Sequence, residues 1–398
     1  MLNNEIIVNI QDGGLGRLSA GKDFYTGVIF QSTTKPSGFG SANIKRVYSL
    51  KGAVSLGLTS ALFPVEYYHI SEYFRILSKL NKSGFLDVGF FNITTDAFDG
   101  TEIATMQTNA NGELRQIGVY LIDTMKDAFV TAANTVAQAL DDAGTPVSVY
   151  LVADITDYAA VSDLRALNKK WVSTCIAQDG AGAGAALFTS EGYSISCLGA
   201  LLATTACAKV HESIGWVGKF DISDAVELDT LALSDGTLIS ELTDAEIDSL
   251  NTKGYSLLMK RKNVSGSYWY VDAPTASIGT SDYYSQRQNR TVAKAKRLIL
   301  QYLAPAQGMP LYLNPANGQM TEITIASLTD YCENALREMA IAQEISTDVA
   351  TGTVPKDSIS INPTQNVIVA GKVEIIAKIV PVGSADSIEV SLGLTTQI

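Results

Sequence analysis

Hydrophobic and polar positions alternate most clearly near the two ends of the chain. Ile6, Val8 and Ile10 alternate with polar residues before Asp12-Gly13-Gly14, which predicts a half-buried strand. Towards the other end, Val373, Ile375, Ala377 and Ile379 share one face, Lys372, Glu374 and Lys378 lie opposite, and Pro381 stops the run. After a break at 383–386, Ile388, Val390, Leu392 and Leu394 again fall on one face, with Glu389 and Ser391 on the other. An apolar terminal strand needs a partner, because a bare edge leaves N–H and C=O groups unpaired. That partner is either the chain's own sheet or a neighbouring subunit's.

Between the ends the pattern reads as mixed α/β. Residues 24–31 predict a strand and 44–58 strand and loop. Residues 66–80 predict a helix, with Tyr67, Ile70, Tyr73, Phe74 and Leu77 at helical spacing. A strand over 85–93 follows, then one long helix over 117–140 closed by Asp141-Asp142-Ala143-Gly144. The centre predicts a strand over 147–152, a helix over 157–167, a strand over 171–177 and a small-residue helix over 196–211. Strands alternating with helices imply parallel pairs joined by right-handed crossovers. A chain of 398 residues exceeds one core's usual size, so two or three domains are expected.

One helix, over 287–303, carries a distinctive charge pattern. Arg287, Arg290, Lys294 and Arg297 recur at spacings of three, four and three, which places them in one stripe. Val292, Ala295, Ile299, Tyr302 and Leu303 take the opposite face. The expectation is a basic ridge facing away from its own core. It lacks the interleaved acids that usually support such a face, so an acidic protein surface is its natural complement.

Composition narrows the function classes. Hydrophobic content of 46% with 18% charged residues describes a packed globular protein. A net charge of −12 argues against nucleic acid as the main partner. Cys175, Cys197, Cys207 and Cys332 show no paired metal spacing, Cys197 and Cys207 lie in an apolar stretch, and His69 and His211 are the only histidines. No metal site is expected. Residues 1–10 include acidic Glu5 and no basic n-region, so no secretory leader is expected. No apolar run reaches the length of a membrane span, and the expectation is a cytosolic protein with reduced cysteines. Residues 221–250 hold nine acidic side chains and no Lys or Arg, an exposed face or one awaiting a cation.

Catalytic signals are weak. Gly180, Gly182 and Gly184 follow a strand, but the third glycine comes too early for a dinucleotide fingerprint and 185–190 is not a clear helix start. There is no GxSxG elbow and no Walker loop. His211-Glu212 suits a cap or core role. No catalytic residue and no cofactor is assigned; a nucleotide-binding enzyme using the 180–184 loop is kept as a rival reading.

From about residue 196 onward the order of features resembles the contractile tail sheath family of bacteriophages and phage-like injection machines. The small-residue helix Cys197-Leu198-Gly199-Ala200…Ala206…Ala208 runs into Ile214-Gly215-Trp216-Val217. Then Leu242-Thr243-Asp244-Ala245-Glu246 leads through Leu250-Asn251-Thr252-Lys253-Gly254-Tyr255 to Tyr268-Trp269-Tyr270-Val271-Asp272. The basic helix, the Asn314-Pro315-Ala316-Asn317 loop, a helix over 329–341 and the terminal strands follow in the family's order. Asp272-Ala273-Pro274-Thr275 departs from the Gly-Ala-Arg-Thr-like run common in sheaths, which suggests a divergent branch.

The resemblance implies an inner domain built from both chain ends, inserted outer α/β domains and extended terminal β-arms. The matching division is an arm at 1–22, an outer variable region at 23–195, a sheath core at 196–380 with a tube-facing part from about 270, and a C-terminal arm at 381–398. It further implies stacked hexameric rings around an inner tube, contraction that drives the tube through a target envelope, and baseplate and tail-terminator partners. The particle would be assembled in the bacterial host's cytoplasm. Ile6, Val8, Ile10, Ile388, Val390 and Leu392 would then add strands between subunits, while Arg287, Arg290, Lys294 and Arg297 would meet the tube. Another tail or baseplate component is the nearer alternative.

Overall fold

The computed structural model describes residues 22–348, 351–355 and 358–385. Ile6, Val8, Ile10, Ile388, Val390 and Leu392 lie outside them. In chain order the first half comprises β1 (Thr26–Gln31), β2 (Ile44–Val47), α1 (Leu50–Ser55), α2 (Pro64–Lys79), β3 (Leu86–Phe91), α3 (Thr101–Asn109), β4 (Gln116–Thr124), α4 (Asp127–Asp142), β5 (Ser148–Asp154), β6 (Val172–Cys175), β7 (Ala177–Asp179) and α5 (Ala183–Glu191). The second half comprises α6 (Leu198–Cys207), β8 (Leu231–Leu233), α7 (Asp244–Thr252), β9 (Tyr255–Ser256), β10 (Leu258–Met259), β11 (Tyr268–Trp269), α8 (Gln286–Leu303), α9 (Glu322–Ile341), β12 (Ile359–Ile361), α10 (Val367–Ala370) and β13 (Ile375–Ala377).

A seven-stranded sheet in the order β2-β3-β1-β4-β5-β6-β9 organises the larger part. Its pairings are parallel except for β2 with β3. Alternate side chains serve two cores. Val28, Phe30, Val88, Phe90, Tyr120 and Tyr150 face α2 and α6; Ile29, Ile117, Val119, Val149 and Leu151 face α3 and α4. A parallel strand covered on both sides reads as a continuous apolar run rather than an alternation. That is why the single helix expected over 117–140 is in fact β4 followed by α4. Residues 117–121 carry no polar phase to separate a buried strand from a buried helix, and Thr124-Met125-Lys126 contains no glycine or proline to mark the boundary.

Other expectations need similar correction. The helix at 157–167 is two short 3-10 turns, started by the Asp157 and Asp163 carboxylates, which accept from Ala159 N and Arg165 N. The loop at 180–184 does run straight into a helix, α5. The boundary at residue 195 falls inside one packed unit, since α6 packs on α2, β4 and β5 and β9 joins the sheet's edge. A third core lies around α8, α9, β12 and β13 and includes Leu298, Leu336, Met339 and Ile359.

The α2–α6 crossing depends on one residue. A Cβ at Gly199 would stand 2.8 Å from the His69 carbonyl carbon and 2.9 Å from its Cα. The contact is backbone, which cannot swing aside. His69 itself is buried against Phe30 and Tyr120, and burial lowers its pKa to about 3, so it packs as a neutral ring. Gly199→Ala should therefore cost about 2–3 kcal/mol, the upper range for overpacking. A thermal scan should show a fall of several degrees; an unchanged midpoint would mean that the two helices are not locked at this spacing.

Candidate assembly site

Helix α8 is where the sequence pattern and the structure diverge. Arg287, Arg290 and Lys294 are all under 8% exposed, and the Arg297 side chain is 11% exposed. The expected outward ridge is an internal seam, and the reason is the set of partners it meets. Lys294 Nζ contacts Asp23 Oδ2 at 2.6 Å and Glu344 Oε1 at 2.8 Å. Arg297 reaches the other oxygen of Asp23 at 3.3 Å. Arg290 donates to the carbonyls of Thr205 and Ala208, both at 2.9 Å, so its charge closes the carbonyl end of α6. Arg287 donates to the Tyr284 hydroxyl at 3.2 Å and also to Ser384 Oγ.

The acids that were missing from the helix itself arrive from elsewhere. Asp272 Oδ2 accepts from Arg287 N at 2.9 Å and so caps the start of α8, which has no acid in its first turn. Asp141, at the end of α4, holds Lys296 at 2.8 Å. Burial raises the pKa of the Glu344 carboxyl, an effect that Lys294 opposes. Burial, then the nearby Arg115 guanidinium, lower that of Arg297.

This seam also gathers the first and last described segments. Asp23, the second described residue, is held by Lys294 and Arg297; Ser384, the next to last, is held by Arg287. Seven residues separate Arg287 from Lys294, or roughly 10 Å of helix. Residues 1–21 and 386–398 therefore join the described structure at neighbouring positions along one helix. Beside the Ser384 segment runs a groove of about 790 Å³ whose lining includes His211, Trp216, Tyr270 and Val382.

Leu300, Tyr312, Ile323, Ile341, Ile368, Val369, Ile376 and Val380 are all large and exposed, and all belong to the part built on α8 and α9. There β12 and β13 pair antiparallel with each other, Ser360 opposite Ile376, and with no other strand among the described residues. Val373, Ile375 and Ile379 turn towards the third core, as their alternation predicts, while Ala377 of the same expected face is exposed. Sheet edges that no further strand covers among the described residues, beside exposed Ile376, are a template for another strand.

Two places in the fold that could serve other chemistry are filled by the chain's own side chains. Between β1 and β4, where ligands enter an open parallel sheet, Gln31 donates to Asp123 Oδ2 at 3.0 Å and accepts from Ile122 N at 2.9 Å. In the glycine loop the amides of Ala181 and Gly182 donate to Asp179 Oδ1, and that of Ala183 donates to Glu227 Oε2. A phosphate there would face two carboxylates instead of free N–H groups. The four cysteines are buried, and burial raises the pKa of each thiol. No group of three or more His, Cys, Asp or Glu side chains among the described residues could hold a metal ion. None of the described helices is long and apolar enough to cross a membrane.

Comparison with known proteins places this fold among contractile sheath proteins. The chain is similar to a solved sheath subunit of an extracellular contractile injection system, the PVC sheath complex in its contracted state. The TM-score is 0.59 and the identity 14%, covering 100% of this chain and 99% of that one. It is also similar to the sheath tail protein of Desulfitobacterium hafniense, with a TM-score of 0.51 and 12% identity over 95% of this chain and all of the other. Residues 282–398, which begin just before α8, match the family described as DUF2586, C-terminal domain. No curated protein sequence matches the chain.

Lys294→Met removes the shared cation and leaves Asp23 and Glu344 facing each other with little solvent. Breaking a buried pair from one side costs about 3–5 kcal/mol, so the urea midpoint should fall clearly. Adding Glu344→Leu should restore a good part of the loss, whereas Lys372→Ala, at an exposed pair, should leave the midpoint where it was. If all three variants melt together, the seam does not hold the fold.

Proposed function

We propose that this chain is the structural subunit of a contractile sheath. It polymerises with copies of itself as stacked six-membered rings around an inner tube, and it contracts to drive that tube through a target envelope. The observation that carries the reading is the joint anchoring of both chain ends on α8, beside a two-stranded sheet with free edges. Likeness of fold over the whole chain to two sheath proteins supports it.

In this proposal residues 1–21 and 386–398 act as arms. Ile6, Val8 and Ile10, with Ile388, Val390 and Leu392, supply the strands that extend a neighbour's β12–β13 sheet. The basic stripe serves as the root of both arms, and its bearing on the tube is indirect, through the arms it positions. Baseplate and terminator proteins close the polymer's ends. Assembly takes place in the bacterial host's cytoplasm, and the finished particle is a phage tail or an injection system. The stroke uses energy stored in two alternative subunit packings.

Removing 386–398 should leave a folded monomer with unchanged circular dichroism that no longer forms the hollow tubes expected of the full chain under negative-stain microscopy. Tubes of the same width and yield from the truncated chain would remove the arm from assembly. Because the subunits are acidic and the contact is apolar, tube formation should increase with salt, which screens their mutual repulsion. A steep loss with salt would instead mark a contact built on opposite charges.

A further inference from the structure

The glycine loop has a feature that sheath assembly does not use. Asp179, the last residue of β7, is fully buried, and its Oδ2 has no hydrogen-bond partner. A Cβ built on Gly182 would collide with that same oxygen and would stand 2.6 Å from Glu227 Oε2. Two carboxyl groups from segments 48 residues apart in sequence thus converge on one point, and only a glycine leaves room for them.

We propose that Asp179 and Glu227 share a proton, and that this proton latches the 180–184 loop and the start of α5 onto the 221–230 segment. A proton satisfies the orphaned oxygen and removes one of two like charges. The nearby cation is Arg75 on α2: it holds Glu72 in a two-pronged pair at 2.7 and 2.6 Å and donates to the Ile222 carbonyl, with its Nη1 left unpartnered. Tyr68, also on α2, is buried with an unpartnered hydroxyl, Cys197 lies ahead of α6, and Asp224 adds a further negative charge from Glu227's own segment. The amides of Ala181, Gly182 and Ala183 all donate into the site, which suits carboxyl oxygens and disfavours a metal ion.

Burial, then the Asp179 carboxyl, raise the pKa of Glu227 to about 7. A carboxyl whose proton is held more tightly in the folded state stabilises that state fully below its unfolded value of about 4.3. The contribution is lost as pH rises through about 7. Helix α5 has only Gly184 buried, so its first turn depends on this latch more than on a core of its own.

Hydrogen exchange on the full chain tests the latch, with rates corrected for intrinsic pH dependence. Residues 180–191 should lose protection between about pH 5.5 and 8.5, by at most roughly 30-fold for 1.5 pH units above the midpoint, while β5 stays protected. Glu227→Gln supplies a donor that does not titrate and should keep the loop protected at both values. Asp179→Asn should do the same from the other side. Equal protection of the wild-type loop at both pH values, or loss in both variants that follows the wild type, would overturn the shared proton. Recovery of protection at high pH on adding millimolar calcium would overturn it too, in favour of a cation site.

Discussion

Lys294 lies where three distant stretches of chain meet, and its ammonium can stay out of water only because Asp23 and Glu344 both reach it. Desolvating an ion is costly enough that the geometry around it leaves little slack. The same row of α8 fixes the end of α6 through Arg290, its own first turn through Asp272, and the C-terminal segment through Arg287. Displacing any of these segments would strand a charge. Buried pairs add little to stability compared with a well-packed apolar core, but they penalise every wrong arrangement. In this chain what they specify is where Asp23 and Ser384 sit along α8.

That constraint gives a sheath-like polymer a physical basis. Strands lent to neighbours transmit force only if their roots cannot slide within the lending subunit. In the proposed sheath, roots on one helix about two turns apart would make the two arms move as a unit with α8. The third core continues from α8 through α9 to β12 and β13. On that proposal a strand received at that sheet would be mechanically connected to the strands given away, and a small rotation of one subunit would pass to the next without unfolding either.

Much of the fold was legible in the sequence, and the parts that were not share a cause. β1, α2, β3, β5, α6 and α8 follow from periodicity and turn residues, and Val373, Ile375 and Ile379 face the core as their alternation predicts. β4 was lost because a strand buried on both faces has no polar phase. The basic stripe of α8 was found, yet its direction was inverted. A helical wheel shows that four cations share a face; it cannot show that Asp23 and Glu344, 271 and 50 residues away from Lys294, come to meet them. The one available signal was the absence of any i,i+4 acid in a helix this basic, which fits cations whose partners come from other segments as well as it fits an outward face. The Asp179–Glu227 pair was hidden for the same reason, because Glu227 looked like one more member of an exposed acidic run.

Internal use of the cations also changes how the outside must work. The chain carries 41 acidic and 29 basic residues. Arg290, Lys294 and Arg297 all turn inward, so their charges contribute little at the surface. Some acids, such as Glu344 and Asp179, are buried as well, but most of the run over 221–250 remains at the surface in whole or part. Copies of such a body repel one another at long range. Contact at short range then has to come from something indifferent to charge. The proposed backbone pairing along β12 and β13, with Ile376, Val380, Ile368 and Val369 exposed on the same part of the chain, would meet that requirement. In the proposed sheath, repulsion would keep single subunits apart in dilute solution, while strand exchange, once begun, would be favoured by hydrogen bonds and apolar burial that surface charge cannot cancel.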